Sequence, residues 1–184
     1  MVAWDLKSGQ IIQTFKGHTA WINSIAITAN GKLAVSGTKY SNCVSWYLKT
    51  GQMLQTLKGH NGIVRAVAIT PDGNEIYFGA RSSRYYTILV SKKLDDGWTK
   101  PEVMKQMADP AYMNFEPAIN ADGSKFFFLS NRPDSVLGVE FGQQDIWVMD
   151  REGDDWGEPY NLGPPVNTSE PEFYPSLTND GTIY

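Results

Sequence analysis

Cysteine is nearly absent. Among 184 residues there is one, Cys43, which excludes a disulfide within the chain, and its place in the apolar run Cys43–Tyr47 points to a buried thiol that packs as a small hydrophobe. Histidine is almost as scarce: His18 and His60 are the only two, too few for a triad or a clustered zinc site. Excess positive charge is missing too. Sixteen basic residues face 20 acidic ones, for a net charge of −4 and a pI near 5.1, so no basic footprint exists for nucleic acid or an anionic membrane. No apolar run approaches the roughly 18 residues of a membrane span, and Met1–Asp5 does not read as the start of a signal peptide, so none is expected in this sequence. Helical periodicity is lacking throughout. Its nearest approach, Pro101–Ala111, is bracketed by Pro101 and Pro110 and reads as a loop.

What is present is aromatic residues at 12%, 17 glycines, ten prolines and many Asn-Gly and Asp-Gly pairs, a composition suited to short strands joined by tight turns. Those strands repeat. Residues 6–18, LKSGQIIQTFKGH, recur as residues 48–60, LKTGQMLQTLKGH, at a spacing of 42, and the same spacing carries Ile25–Gly31 onto Val67–Gly73. A second beat of 58 residues links Ile88–Val90 and Trp98–Pro101 to Ile146–Val148 and Trp156–Pro159, and Pro117–Gly123 to Pro175–Gly181. Both beats contain an apolar strand, an Asn-Gly or Asp-Gly turn and a second apolar strand, the signature of a β-hairpin.

Period-2 runs predict strands at 2–6, 11–15, 22–28, 32–36, 43–47, 53–57, 64–70, 75–79 and 87–92, with a weak one near Val103. They continue at 116–120, 125–129, 145–150, near 160–162, 173–178 and 182–184. Four strands per repeat of this length is the arithmetic of an all-β β-propeller with four-stranded antiparallel blades, about four per chain, in one domain spanning 1–184.

Gly17-His18, Gly59-His60 and Trp4-Asp5, with the 42-residue spacing, resemble WD-repeat propellers over about residues 1–75. The resemblance implies that the histidine, a Ser or Thr, the strand tryptophan and a turn aspartate bond together to fix each blade, giving His18, His60, Trp4, Asp5 and Trp46 structural roles. The pattern is frayed, because Tyr40 stands where the turn Asp belongs and Tyr47 replaces the terminal Asp, leaving His18 in need of another partner. From about residue 76 the chain resembles the TolB-like repeats common in bacterial envelope and secreted proteins. The motifs are Asp122–Arg132, Asp145-Ile-Trp147, Trp156–Pro159, Asn161–Gly163, Val166–Thr168 and Phe173–Gly181. The two kinds of repeat meet near Pro71-Asp72-Gly73, a turn both use, as in a natural mixture or in a recombined or engineered chimera.

The opening segment corresponds to the third and fourth strands of a blade and the closing one to the first two. Phe173–Tyr184 is therefore expected to lie beside Val2–Phe15 in one shared blade, within one chain as a four-bladed ring or across two as an eight-bladed homodimer, the latter favoured.

Trp147, like Trp4 and Trp46, is expected to pack between blades. Asp95-Asp96 and Asp154-Asp155 precede Trp98 and Trp156 as solvated turns rather than as calcium or hydrolytic pairs. Trp21, at the entrance to an innermost strand, and Tyr40, Arg81, Arg84, Tyr85 and Arg132, in second-to-third-strand loops, are expected on one ring face, where aromatic and arginine side chains would bind a protein or peptide. The sequence reads as a non-catalytic scaffold with no cofactor, metal, nucleic-acid or membrane partner. The alternative is an accessory propeller of a bacterial envelope or secreted hydrolase, either a peptidase or glycan-active.

Overall fold

The computed structural model describes residues 1–40, 42–81, 85–133, 144–178 and 180–184. The first sheet pairs β1 (Val2–Trp4) with β2 (Ile11–Thr14). A four-stranded sheet follows, with β3 (Ile22–Ile27), β4 (Leu33–Thr38), β5 (Cys43–Tyr47) and β6 (Gln52–Leu57) side by side in chain order. The next blade contains β7 (Val67–Ile69), β8 (Glu75–Arg81) and β9 (Tyr86–Leu94), and β9 pairs both with β10 (Gly97–Trp98) and with β11 (Glu102–Val103). The third complete blade repeats that plan with β12 (Asn114–Ile119), β13 (Lys125–Ser130), β14 (Asp145–Glu152), β15 (Asp155–Trp156) and β16 (Tyr160–Asn161). All pairings are antiparallel.

This is the expected all-β propeller, with differences of detail. Strand β7 is shorter than the period suggests, the segment after β11 makes one 3-10 turn at Lys105–Met107, and residues 173–184 narrow to a hairpin with a single bridge, Leu177 to Ile183.

Among the described residues one turn recurs in the inner hairpins at both repeat spacings. Thr28 Oγ1 bonds Asn30 Oδ1, which accepts from Lys32 N at 2.9 Å, and Gly31 takes φ +65°. Thr70, Asp72 and Gly73 (φ +77°) do the same, as do Thr178, Asp180 and Gly181 (φ +87°); Asn120, Asp122 and Gly123 (φ +76°) vary it through Ser124. An acceptor at the first position and a residue free to adopt positive φ at the next are what this turn requires.

The core lies between blades. Val35, Cys43, Leu57 and Ala26 of the first complete blade pack on Val67, Ile69, Phe78 and Leu89 of the second. Tyr77, Ile88, Met104 and Met107 of the second pack on Phe126, Phe128, Trp147 and Met149 of the third. Side chains alternate along each strand, so β8 sends Phe78 one way and Tyr77 the other. At the two ends, Met1, Ala3 and Phe15 cover Trp46 and Val44, and Leu177 and Ile183 cover Phe127, Leu129 and Val148.

Each end thus packs on its neighbouring blade, and this corrects one expected outcome. Among the described residues no backbone hydrogen bond joins Phe173–Tyr184 to β1 or β2; Ser176 and Tyr184 exchange both of their backbone bonds within the hairpin. Trp4, expected to pack between blades, is 55% exposed for the same reason: no inner hairpin lies along β1.

Candidate interaction face

The histidine positions show how the first complete blade is fastened. The Ser36 hydroxyl accepts from the Trp46 indole N–H at 2.7 Å and meets His18 Nε2 at 2.7 Å, with the His18 ring 5.0 Å from that of Trp46. Ser36 is the partner His18 needs where Tyr40 has replaced the turn aspartate. Asp5 has a local role, accepting from Ser8 N, Lys7 N and the Ser8 hydroxyl, bonds that hold its carboxyl below the usual carboxylate range.

His60 lacks this arrangement. Phe78 stands at the 42-residue spacing in place of Ser36, and the register of β8 with β9 puts Ser91 opposite Ile76, where Trp46 stands opposite Ala34 in the first complete blade. His60 is buried against the Phe78 ring at 4.8 Å, and neither ring nitrogen has a hydrogen-bond partner among the described residues. Burial holds its pKa below the ordinary histidine value. Trp147 is buried as expected.

In the three complete blades the loop entering the inner strand is bonded to the end of the second strand or the loop after it in the same blade, and the segment before the last hairpin is bonded to the third complete blade. Lys39 N donates to Trp21 O at 3.0 Å; Asn61 and Arg81 exchange backbone bonds of 3.0 and 3.1 Å; Met113 N donates to Asn131 Oδ1 at 2.7 Å; Glu172 N donates to Gln144 O at 2.8 Å. These clasps carry a rim along one edge of the arc. On it Trp21 is 74% exposed with the Lys39 ammonium 4.4 Å from its ring centroid, Tyr40 is 66% exposed, and Arg81 is exposed one blade along. Lys39 and Arg81 stand 42 residues apart, at the same position of the repeat in two adjacent blades.

The other expected members are placed differently. Tyr85 donates its hydroxyl to Ala108 O at 2.8 Å. Arg132 turns inward: its Nη2 donates to Asn114 Oδ1 at 3.0 Å, its Nε to Ser130 Oγ at 3.1 Å, and its guanidinium lies over Tyr112, Phe128 and Trp147. Arg84 lies outside the described residues.

Below the rim, the inner strands wall a concave channel lined by Ser24, Ala66, Glu116 and Tyr174 among others. Glu116 and Tyr174 both have positive φ, +52° and +54°, and Tyr174 N donates to Glu116 Oε2 at 2.6 Å. Burial raises the Glu116 pKa. Periodicity does not reveal this pair, but the 58-residue spacing does, placing each of the two immediately before a proline, Pro117 or Pro175.

Residues 9–47 and 51–84 match the WD domain, G-beta repeat family. The full arc matches the crystal structure of the β-propeller domain of Cps50 (Swd1) from Myceliophteria thermophila with a TM-score of 0.70 at 14% identity. That alignment covers 98% of this chain and 53% of the other, so the chain spans about half the length of the propeller it resembles. Sequence comparison with curated proteins finds no match. The chain has a β-propeller fold, and two of its segments match the WD-repeat model.

Proposed function

We propose that the protein is a non-catalytic scaffold that holds a protein or peptide partner on the rim bearing Trp21, Lys39, Tyr40 and Arg81. WD-repeat propellers serve in general as platforms for protein partners. The observation that carries the reading here is Trp21: a large ring left three-quarters exposed, yet backed by a backbone bond and a stacked lysine on a rigid blade. An exposed aromatic that is already ordered loses little entropy on binding, and arginine and tryptophan dominate interface energetics. The adjacent cations favour an acidic or aromatic-acidic segment.

Residues from about 76 onward are read as TolB-like repeats on the motifs quoted above, while the second WD match runs on to residue 84. A turn used by both kinds of repeat suits a natural mixture and a recombined chimera equally. Self-association through the terminal strands is the second partner interaction of this reading.

The test is selection of a random peptide display library on the wild-type protein, followed by binding of the selected peptides to Trp21→Ala and Arg81→Ala. Both variants are expected to lose at least about tenfold in affinity, or 1.4 kcal/mol, at unchanged melting temperature. Unchanged affinity would contradict the reading.

A further inference from the structure

We infer that His60 is a proton-operated latch beneath the rim: taking up a proton swings residues 59–62 outward, parts the Asn61–Arg81 clasp and withdraws Arg81 from the interaction face. The consequence at the rim rests on the reading above; the movement itself does not.

His60 is 7% exposed, and neither Nδ1 nor Nε2 has a hydrogen-bond partner among the described residues. The neutral ring already forgoes two hydrogen bonds there, and an imidazolium, which carries two donors and a charge, needs acceptors the site does not supply. His18, at the same place in the preceding repeat, has Ser36 Oγ at 2.7 Å from its Nε2.

The surroundings offer no counter-charge either. Lys58 and Arg65 lie on the same connection, Lys100 runs against Gly59, β8 carries Glu75 and Arg81 at its two ends, and β9 carries Lys92 and Lys93. Glu75, the carboxylate of this set, is engaged with Lys92 at 3.4 Å and Arg151 at 2.6 Å. Burial keeps Cys43 and Tyr86 protonated and neutral. A proton on His60 therefore drives the ring toward water.

The loop is built to let it go. His60 and Asn61 stand between two glycines with positive φ, Gly59 at +115° and Gly62 at +80°. Among the described residues the backbone hydrogen bonds of 59–62 are the two of the clasp, Asn61 N to Arg81 O at 3.0 Å and Arg81 N to Asn61 O at 3.1 Å. Just beyond, the chain is fixed again: Ile63 O accepts from the Tyr86 hydroxyl at 3.3 Å, and Val64 N donates to Thr38 O at 3.0 Å. Because Asn61 follows His60 directly, outward rotation of the ring breaks both clasp bonds together. Gly62 lies against the Arg81 side chain, which loses that backing as well.

Amide exchange of the full chain, read by NMR, tests the latch directly. Above about pH 6.5 both forms of the loop carry neutral His60; below it the open form takes up the proton and the closed form does not. Protection factors at the Asn61 and Arg81 N–H groups should therefore fall on the order of tenfold between pH 6.5 and 5. Met113 N, clasped in the third complete blade by a loop without histidine, should hold its protection. In His60→Leu the fall should disappear, and His60→Gln serves if the leucine variant does not fold. The affinity of a selected peptide should drop over the same interval for the wild-type protein and hold for the variant. Protection at Asn61 and Arg81 that is unchanged on acidification, that falls equally in the variant, or that falls in step with Met113 would overturn the inference. A peptide affinity that stays constant while the protection falls would overturn its consequence at the rim. Equal peptide affinity for wild type and Trp21→Ala would remove the rim reading alone, since the exchange measurement uses no peptide.

Discussion

The side-chain amide of Gln55 completes the backbone of Trp98: its Oε1 accepts from Trp98 N at 2.9 Å and its Nε2 donates to Trp98 O at 3.2 Å. Gln55 lies on the outermost strand of the first complete blade and Trp98 on the second, so the amide replaces a ladder pair between sheets that share no ladder. Gln55→Leu should lower stability by about 1–2 kcal/mol, the cost of two partly buried backbone groups left without partners. Urea denaturation of the two proteins measures it, with an unchanged m-value expected.

Ser36→Ala removes the hydroxyl on which Trp46 and His18 converge. The buried indole N–H is then left unsatisfied, and a loss of about 1–3 kcal/mol is expected. Ser36→Thr, which restores a hydroxyl, should recover part of it.

Glu75 is buried and bonded to Arg151 at 2.6 Å and to the Tyr77 hydroxyl at 2.9 Å, and that hydroxyl accepts from the Trp156 indole N–H at 2.8 Å. This chain joins the second complete blade to the third; burial, with Glu75 alongside, raises the pKa of Tyr77. Glu75→Ala should cost about 3 kcal/mol, because the partner charge stays behind partly buried. Such a close, sheltered pair should respond weakly to salt. A melting-temperature difference between wild type and variant that collapses in 1 M salt would contradict this.

Stability should also fall on acidification. His18 and His60 both have pKa values lowered by burial, so the unfolded chain takes up protons that the folded chain refuses. Their stabilising contribution is complete above the unfolded value of about 6.5 and declines below it, toward the folded values. His60→Leu should flatten the decline between about pH 6.5 and 5, as read from thermal melts across that range.

The blades, their number and the inner hairpins were legible in the sequence because each repeat is a local unit: Asn30-Gly31, Asp72-Gly73, Asp122-Gly123 and Asp180-Gly181 mark the same turn every time. The interblade fastenings were not. Gln55 and Trp98 lie 43 residues apart, and Glu75 and Arg151 76 apart, with no periodicity to tie them. The inward turn of Arg132 depends on a pocket formed by Asn114, Phe128 and Trp147 on three strands. Of the residues expected on the rim, Trp21, Tyr40 and Arg81 are exposed, as their places at loop ends suggest.

The most direct measurement is the affinity of one selected peptide for the wild-type protein and for Trp21→Ala, read beside the thermal melts of both. The account predicts a loss of at least about tenfold at unchanged melting temperature. Equal affinity for the two proteins would contradict it.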